Sequence, residues 1–271
     1  MKLAVVLVDC AEDRIAANAN HRALTSDVDG RAPVVTVSRA NIGVRSVGGM
    51  EGATRGSCFR AGVDAAFELC DPDAVLFTDT NTQIHAGWFD AALAAFGAGA
   101  ELLAGPVTFD RGRTRSMVDV AGFVLDYGVH EVSPFTNANG HPSANNFGAS
   151  ARLLGLAGSG DLWKTELCVV ADAHLVHAVP VADMAAQSHC RYHFEEMFRD
   201  HLRRGHLHAS LQRGNMSVTQ RLMRVLGTPA VPLLATYRLR DVRLDRAPAW
   251  GLVFVGHVAW AIGEEIGRAH V

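Results

Sequence analysis

Several short stretches of this sequence place chemically capable side chains where an α/β sheet would present them. Residues 2–8 form a continuous apolar run that ends in Asp9, the pattern of a strand buried on both faces whose carboxyl end delivers a polar residue. Ligands of open α/β sheets sit at such ends. Residues 74–77 form another apolar run, stopped by Thr78-Asp79-Thr80-Asn81. A carboxylate there could hold a divalent cation bridging a diphosphate, or hydrogen-bond a ribose or sugar. Asn41-Ile42-Gly43 opens a stretch with five glycines in fourteen residues (Gly43, Gly48, Gly49, Gly52, Gly56), and Arg55 stands at the start of the helix that follows, able to reach phosphate or base. Gly158-Ser159-Gly160-Asp161 puts a carboxylate on a glycine-rich loop, where a general base could meet a hydroxyl. Each feature has a plainer explanation: Asp79 as a turn cap, Asp161 as a helix N-cap, Arg55 as an ordinary helix-start residue. Their order and spacing supply the weight.

The elements that must position these residues alternate. Helices are expected over residues 14–24, 57–70 and 88–96, between strands at 2–8, 34–37, 74–77 and 101–109, which argues for a mostly parallel sheet covered by helices. Residues 118–132 read as irregular and 133–146 as loop. Short helices are expected at 149–156 and 161–171, a strand at 175–181, and longer amphipathic helices at 191–204 and 250–266. The fold class is therefore α/β with a helical C-terminal extension: residues 1–205 as one domain, and 206–271 as an extension whose amphipathic helix packs on that domain.

With 271 residues and 49% apolar content the chain can bury one sizeable core. The five cysteines are scattered, with no CxxC pair, so neither a disulfide framework nor a zinc knuckle is signalled; the start lacks a charged n-region followed by an apolar h-region, and a cytoplasmic location is expected. A net charge of −3 hides a basic stretch, residues 191–246, with eleven arginines against five carboxylates. A solvated helical face is its ordinary meaning. The stretch lacks interleaved aromatic stacking positions, which disfavours a nucleic-acid partner. The helix at 250–266 is too short to span a bilayer; core packing, peripheral membrane contact and a homodimer contact all stay open for it. There is no GxGxxG after a strand, no GxxxxGK[ST], no GxSxG and no HExxH.

Taken in order, Val8-Asp9, Asn41-Ile42-Gly43 with Arg55, Phe77-Thr78-Asp79-Thr80-Asn81, Asn145-Asn146-Phe147, Gly160-Asp161 and Pro180-Val181-Ala182-Asp183 leading to His189 resemble the GT-A, family 2 glycosyltransferases over roughly residues 1–205. The resemblance implies transfer of a sugar from a nucleoside-diphosphate donor, UDP- or dTDP-linked, to an acceptor hydroxyl with inversion. It implies Asp161 as general base. Asp9, Asn41, Gly43, Arg55, Asp79, Thr80 and Asn81 would bind the donor, and Asp79, Asn81 and His189 are the candidate ligands of a divalent Mg or Mn ion. Asn146 and Trp163 would lie on the acceptor side. The acceptor itself is open: a saccharide, a lipid-linked glycan or a small natural product.

Three departures qualify what the resemblance implies. The DxD position reads Asp79-Thr80-Asn81, and a neutral amide is a poorer ligand for a hard cation, so metal dependence is doubtful. The acidic dyad keeps only its second member, Asp161. The spacing from Asp9 to Asn41 matches the family's second strand better than its first, implying a shortened N-terminus. Two other readings stay in view: a sugar-nucleotide-binding module without catalysis, and a sugar nucleotidyltransferase, which would usually carry a lysine-bearing glycine loop near the first strand. This chain has no lysine between Lys2 and Lys164.

Overall fold

The computed structural model describes residues 1–9, 14–38, 55–109, 116–132, 142–143, 145–158, 163–211, 230–238 and 249–269. In chain order the elements are β1 (Leu3–Asp9), α1 (Arg14–Val28), β2 (Val34–Ser38), α2 (Arg55–Cys70), β3 (Ala74–Asp79), β4 (Thr82–Ile84), α3 (Trp88–Gly97), β5 (Leu102–Ala104), β6 (Val107–Phe109), α4 (Met117–Val132), β7 (Asn146–Ser150), α5 (Ala151–Leu156), α6 (Trp163–Ala173), β8 (Val179–Pro180), β9 (Ala186–Ser188), α7 (Phe194–Leu211), α8 (Val231–Arg238) and α9 (Ala249–Ala269). The chain forms two compact units, one of Met1–Asp110 with Ser133–Cys190, the other of Arg111–Val132 with Arg191–Val271. These bounds differ from the segments 1–205 and 206–271 drawn from the sequence.

The first unit is built on a six-stranded sheet in the order β2-β1-β3-β7-β5-β8. Only β7 runs antiparallel to its neighbours β3 and β5; β2, β1 and β3 are parallel, as are β5 and β8. The architecture is thus mixed α/β around a mostly parallel sheet. The unbroken apolar runs of β1 and β3 are explained by cover on both faces. Ala4, Val6, Val8, Val75 and Phe77 join α2, α5 and α6 through Phe59, Val63, Leu153 and Leu167, while Leu3, Val5, Leu7 and Leu76 join α1 and α3 through Leu24, Trp88, Phe89 and Phe96. Each such fully buried Leu, Val or Phe contributes about 1.5–3 kcal/mol relative to exposure. Phe77 stacks on Phe147 with centroids 4.4 Å apart, and Phe59 meets both edge-on. The start of α3 is capped from α1, where both carboxylate oxygens of Asp27 accept main-chain N–H bonds, from Gly87 and Phe89, each 2.7 Å.

Two expectations are corrected here. Residues 101–109 make two strands in different sheets, because the chain breaks at Gly105-Pro106: a Cβ on Gly105 would stand 2.2 Å from Met184 O and 2.4 Å from Asn146 Nδ2, an approach only glycine permits. Residues 145–150, expected as loop running into helix, instead supply the buried strand β7, and Ser150 caps α5 by accepting a bond from Leu153 N.

The second unit is helical. Residues 118–132, expected to be less regular, belong to α4, started by a reciprocal cap in which Ser116 Oγ accepts from Asp119 N at 3.0 Å and Asp119 accepts from Ser116 N at 2.8 Å. Ala121 and Val124 of α4 pack with Met197 of α7 and Val253 of α9. Tyr192 donates its hydroxyl to Asp126, which also pairs with Arg204. No described helix is long and apolar enough to cross a membrane.

Two histidines lie inside this helical unit. His201 is buried and donates Nδ1–H to Met197 O at 2.8 Å. Burial first and the Arg204 charge second hold its pKa down, against smaller opposing effects of Asp126, Met197 and Asp200. Burial, with the neighbouring His201, depresses His257 to about 4. The unfolded chain therefore binds protons that the folded unit refuses, so stability is full above the unfolded histidine value near 6.5 and is lost as pH falls from there towards about 4. For His257 that loss is up to about 3 kcal/mol. Unfolding measured from pH 7 to 4 should show wild type losing more stability than His257→Leu; parallel curves would contradict the assignment.

Candidate functional site

β1 and β3 lie side by side with Val8 opposite Asp79, so their carboxyl ends bring Asp9 and the Thr78–Asn81 turn to one edge. The contact is direct: Thr80 Oγ1 donates to Asp9 Oδ1 at 3.3 Å, and Thr80 N donates to Val8 O at 3.0 Å. Hydrogen bonds from its own residues and from α1 hold the turn. Asp79, wholly buried, accepts at Oδ1 from Asn81 N (3.1 Å) and Thr82 Oγ1 (2.8 Å), and Thr80 O accepts from Asn20 Nδ2 of α1 at 2.7 Å.

A three-stranded sheet, β4-β9-β6, begins one residue after this turn. Thr82 of β4 pairs with Ser188 of β9, and this register carries His189 back to the turn. His189 N donates to Asn81 O at 2.7 Å, and its Nε2 lies 3.0 Å from Gln83 Oε1. Asp9, Asp79, Thr80, Asn81 and His189, drawn from three separate parts of the sequence, thus meet at one place. Asn41, Gly43 and Asp161 lie outside the described residues, as do the side chains of Arg55 and Trp163, whose backbones open α2 and α6.

Asn146, expected on the acceptor side, has another occupation. It is wholly buried; its Oδ1 accepts from Trp88 Nε1 at 2.8 Å, and its Nδ2 donates to Pro106 O and Met184 O at 2.9 and 2.8 Å. These three bonds tie α3 and the chain around Gly105 to β7. Sequence reasoning passed over Asn20, Thr82 and Gln83, and named Asn145 only within the Asn145-Asn146-Phe147 stretch, without a role. The available signal was local: Thr82 follows Asp79 at the spacing of a side-chain-capped turn, and Asn145 stands immediately before a buried strand.

The described residues do not by themselves make a cation site. Asp79 Oδ1 already takes two hydrogen bonds from its own turn, Asn81 is a neutral amide, and His189 Nε2 is engaged with Gln83. Among the described residues, no group of three or more His, Cys, Asp or Glu side chains could hold a metal ion. A hard cation seeking six or more oxygens is poorly served by this set. What the described residues place together at this edge is two carboxylates, Asp9 and the buried Asp79, joined through Thr80 and the turn.

No protein-family model matches the sequence. No curated protein matches it significantly. Similarity is found among solved structures and is one of fold. The mannosyltransferase PcManGT from Pyrobaculum calidifontis, in complex with GDP-Man and Mn2+, superposes with a TM-score of 0.50 at 12% identity, covering 97% of this chain and 87% of that one. A mycobacterial protein gives 0.47 at 16% identity over 80% of this chain and 76% of its own. TarS 1-349 of S. aureus, in complex with UDP-GlcNAc, gives 0.43 at 11% identity over 100% and 92%. The chain accordingly has a fold of the kind found in the mannosyltransferase.

Proposed function

We propose that the first unit is the catalytic domain of an inverting glycosyltransferase of the GT-A, family 2 kind, taking a sugar from a UDP- or dTDP-linked donor to an acceptor hydroxyl. The observation that carries this reading is the meeting of Asp9 with the Asp79-Thr80-Asn81 turn and His189 at the carboxyl edge of β1 and β3. Fold likeness to a mannosyltransferase supports it. On this reading Asp9 accepts hydrogen bonds from the base, while Asp79 and the turn around it receive the ribose or the sugar. Asp161 takes the proton of the acceptor hydroxyl; the freed oxygen bonds to the anomeric carbon as the bond to the diphosphate breaks, and the electron pair leaves with the diphosphate. Because Asn81 supplies no charge, Arg55 is the group proposed to offset what accumulates on the leaving group.

Calorimetry against UDP-, dTDP- and GDP-sugars, followed by assays of donor hydrolysis and transfer, tests the proposal. Binding without either reaction over a broad acceptor panel would favour the non-catalytic module instead. Asp161→Asn gives the sharper outcome: transfer should fall by about a hundredfold or more, with donor affinity within about threefold of wild type, because a base is needed only in the transition state. Equal turnover in the variant would remove the base assignment.

A further inference from the structure

Asn145 belongs to no motif that bears a charge, yet it holds the Asp79 turn through a chain of hydrogen bonds with a fixed direction. It is wholly buried, and its Nδ2 lies 2.6 Å from Thr82 Oγ1, which in turn lies 2.8 Å from Asp79 Oδ1. Asp79 Oδ1 also receives Asn81 N–H, so it acts as an acceptor. The single proton of Thr82 must therefore point at Asp79, and the Thr82 oxygen must accept from Asn145. Turning the Asn145 amide over would set its oxygen against a hydroxyl oxygen with no proton left to share, so the amide orientation is determined by its surroundings. The remaining Asn145 Oδ1 is buried with no hydrogen-bond partner among the described residues. An amide that leaves its oxygen unsatisfied inside a protein is destabilising, and an apolar residue of similar size would fill the space without that cost. Core packing alone gives no reason for asparagine here.

We infer that Asn145 is a positioning residue of the donor site, fixing the Asp79 carboxylate through Thr82; this rests on the reading that Asp79 meets the donor. Asn145 and Thr82 touch no ligand themselves. Their effect is to hold one carboxylate oxygen in its turn, so that Asp79 presents a single orientation when the donor arrives.

The test is donor affinity and thermal midpoint for wild type, Asp79→Asn, Asn145→Ala, Thr82→Val, Thr82→Ser and the Asn145→Ala/Thr82→Val pair, with the UDP-, dTDP- and GDP-sugar panel as probe. Asn145→Ala and Thr82→Val should each weaken binding about tenfold, and the pair no more than either alone, because both cut the same chain. Thr82→Ser, which keeps the hydroxyl, should bind within about twofold of wild type. A general loss of stability would not give this pattern, since independent effects would multiply. Should Asn145→Ala fail to fold, the contrast between Thr82→Val and Thr82→Ser decides. The inference is overturned alone if Asp79→Asn weakens binding while Thr82→Val binds as wild type, or if the losses multiply in the pair. If wild type binds no member of the panel, the donor reading falls and takes this inference with it.

Discussion

Replacing Asp79 by asparagine is expected to weaken donor binding by about thirtyfold or more, some 2 kcal/mol, while leaving the fold in place. The substitution is nearly isosteric. An asparagine oxygen can still accept from Asn81 N and Thr82 Oγ1, the two bonds that shape the turn, so the thermal midpoint should shift by only a few degrees, on the order of 5 °C at most. On the proposed reading, what disappears is the charge that strengthens the hydrogen bond to a donor hydroxyl, a charge-assisted bond being about twice as strong as a neutral one. Calorimetry and kcat/KM measured together separate the outcomes. A large fall in affinity with an unchanged midpoint supports Asp79 as a donor contact; unchanged affinity assigns it to the turn alone.

Gly263→Ala should unfold or severely loosen the helical unit, by about 3 kcal/mol or more. A Cβ there would sit 1.8 Å from Leu202 O, and at Gly205 the same atom would sit 1.9 Å from Trp260 O, so α7 and α9 touch backbone to backbone. Main-chain carbonyls within helices cannot swing aside as a flexible side chain would; the whole crossing must open. Gly251 provides the internal control, since a Cβ there meets nothing within 4 Å. Gly251→Ala should be neutral or stabilising by up to about 1 kcal/mol through helix propensity. Denaturant unfolding followed by helical circular dichroism distinguishes the two variants. Similar behaviour of both would show that the crossing does not depend on glycine.

How far the sequence disclosed this arrangement differs from one element to the next. The strands carrying Asp9 and Asp79 were legible because helices cover both faces of the sheet, which leaves apolar runs with a polar residue at the end. The expected strand at residues 101–109 failed at Gly105, whose meaning is tertiary: it admits Met184 O, far away in the sequence, and no local pattern announces that. Helix α4 was obscured by Gly122 and Gly128 and by its valines, all poor helix formers; the buried faces of Ala121 and Val124 against Met197 and Val253 override propensity. In the site the charged residues stand out by type, whereas Asn20, Thr82 and Asn145 are neutral and gain significance only through their bonds to Thr80, Asp79 and Thr82 respectively. Asn146 shows the converse, a residue in a motif-like stretch whose bonds to Trp88, Pro106 and Met184 serve the framework.

On the proposed reading, the edge formed by Asp9 and the Asp79 turn receives a nucleotide. A crystal structure of the chain soaked with UDP, with and without manganese, tests it most directly. The base should lie within about 3 Å of Asp9 and the diphosphate alongside the turn that ends at Asn81. A nucleotide bound elsewhere, with this edge left unaltered, would rule the donor site out.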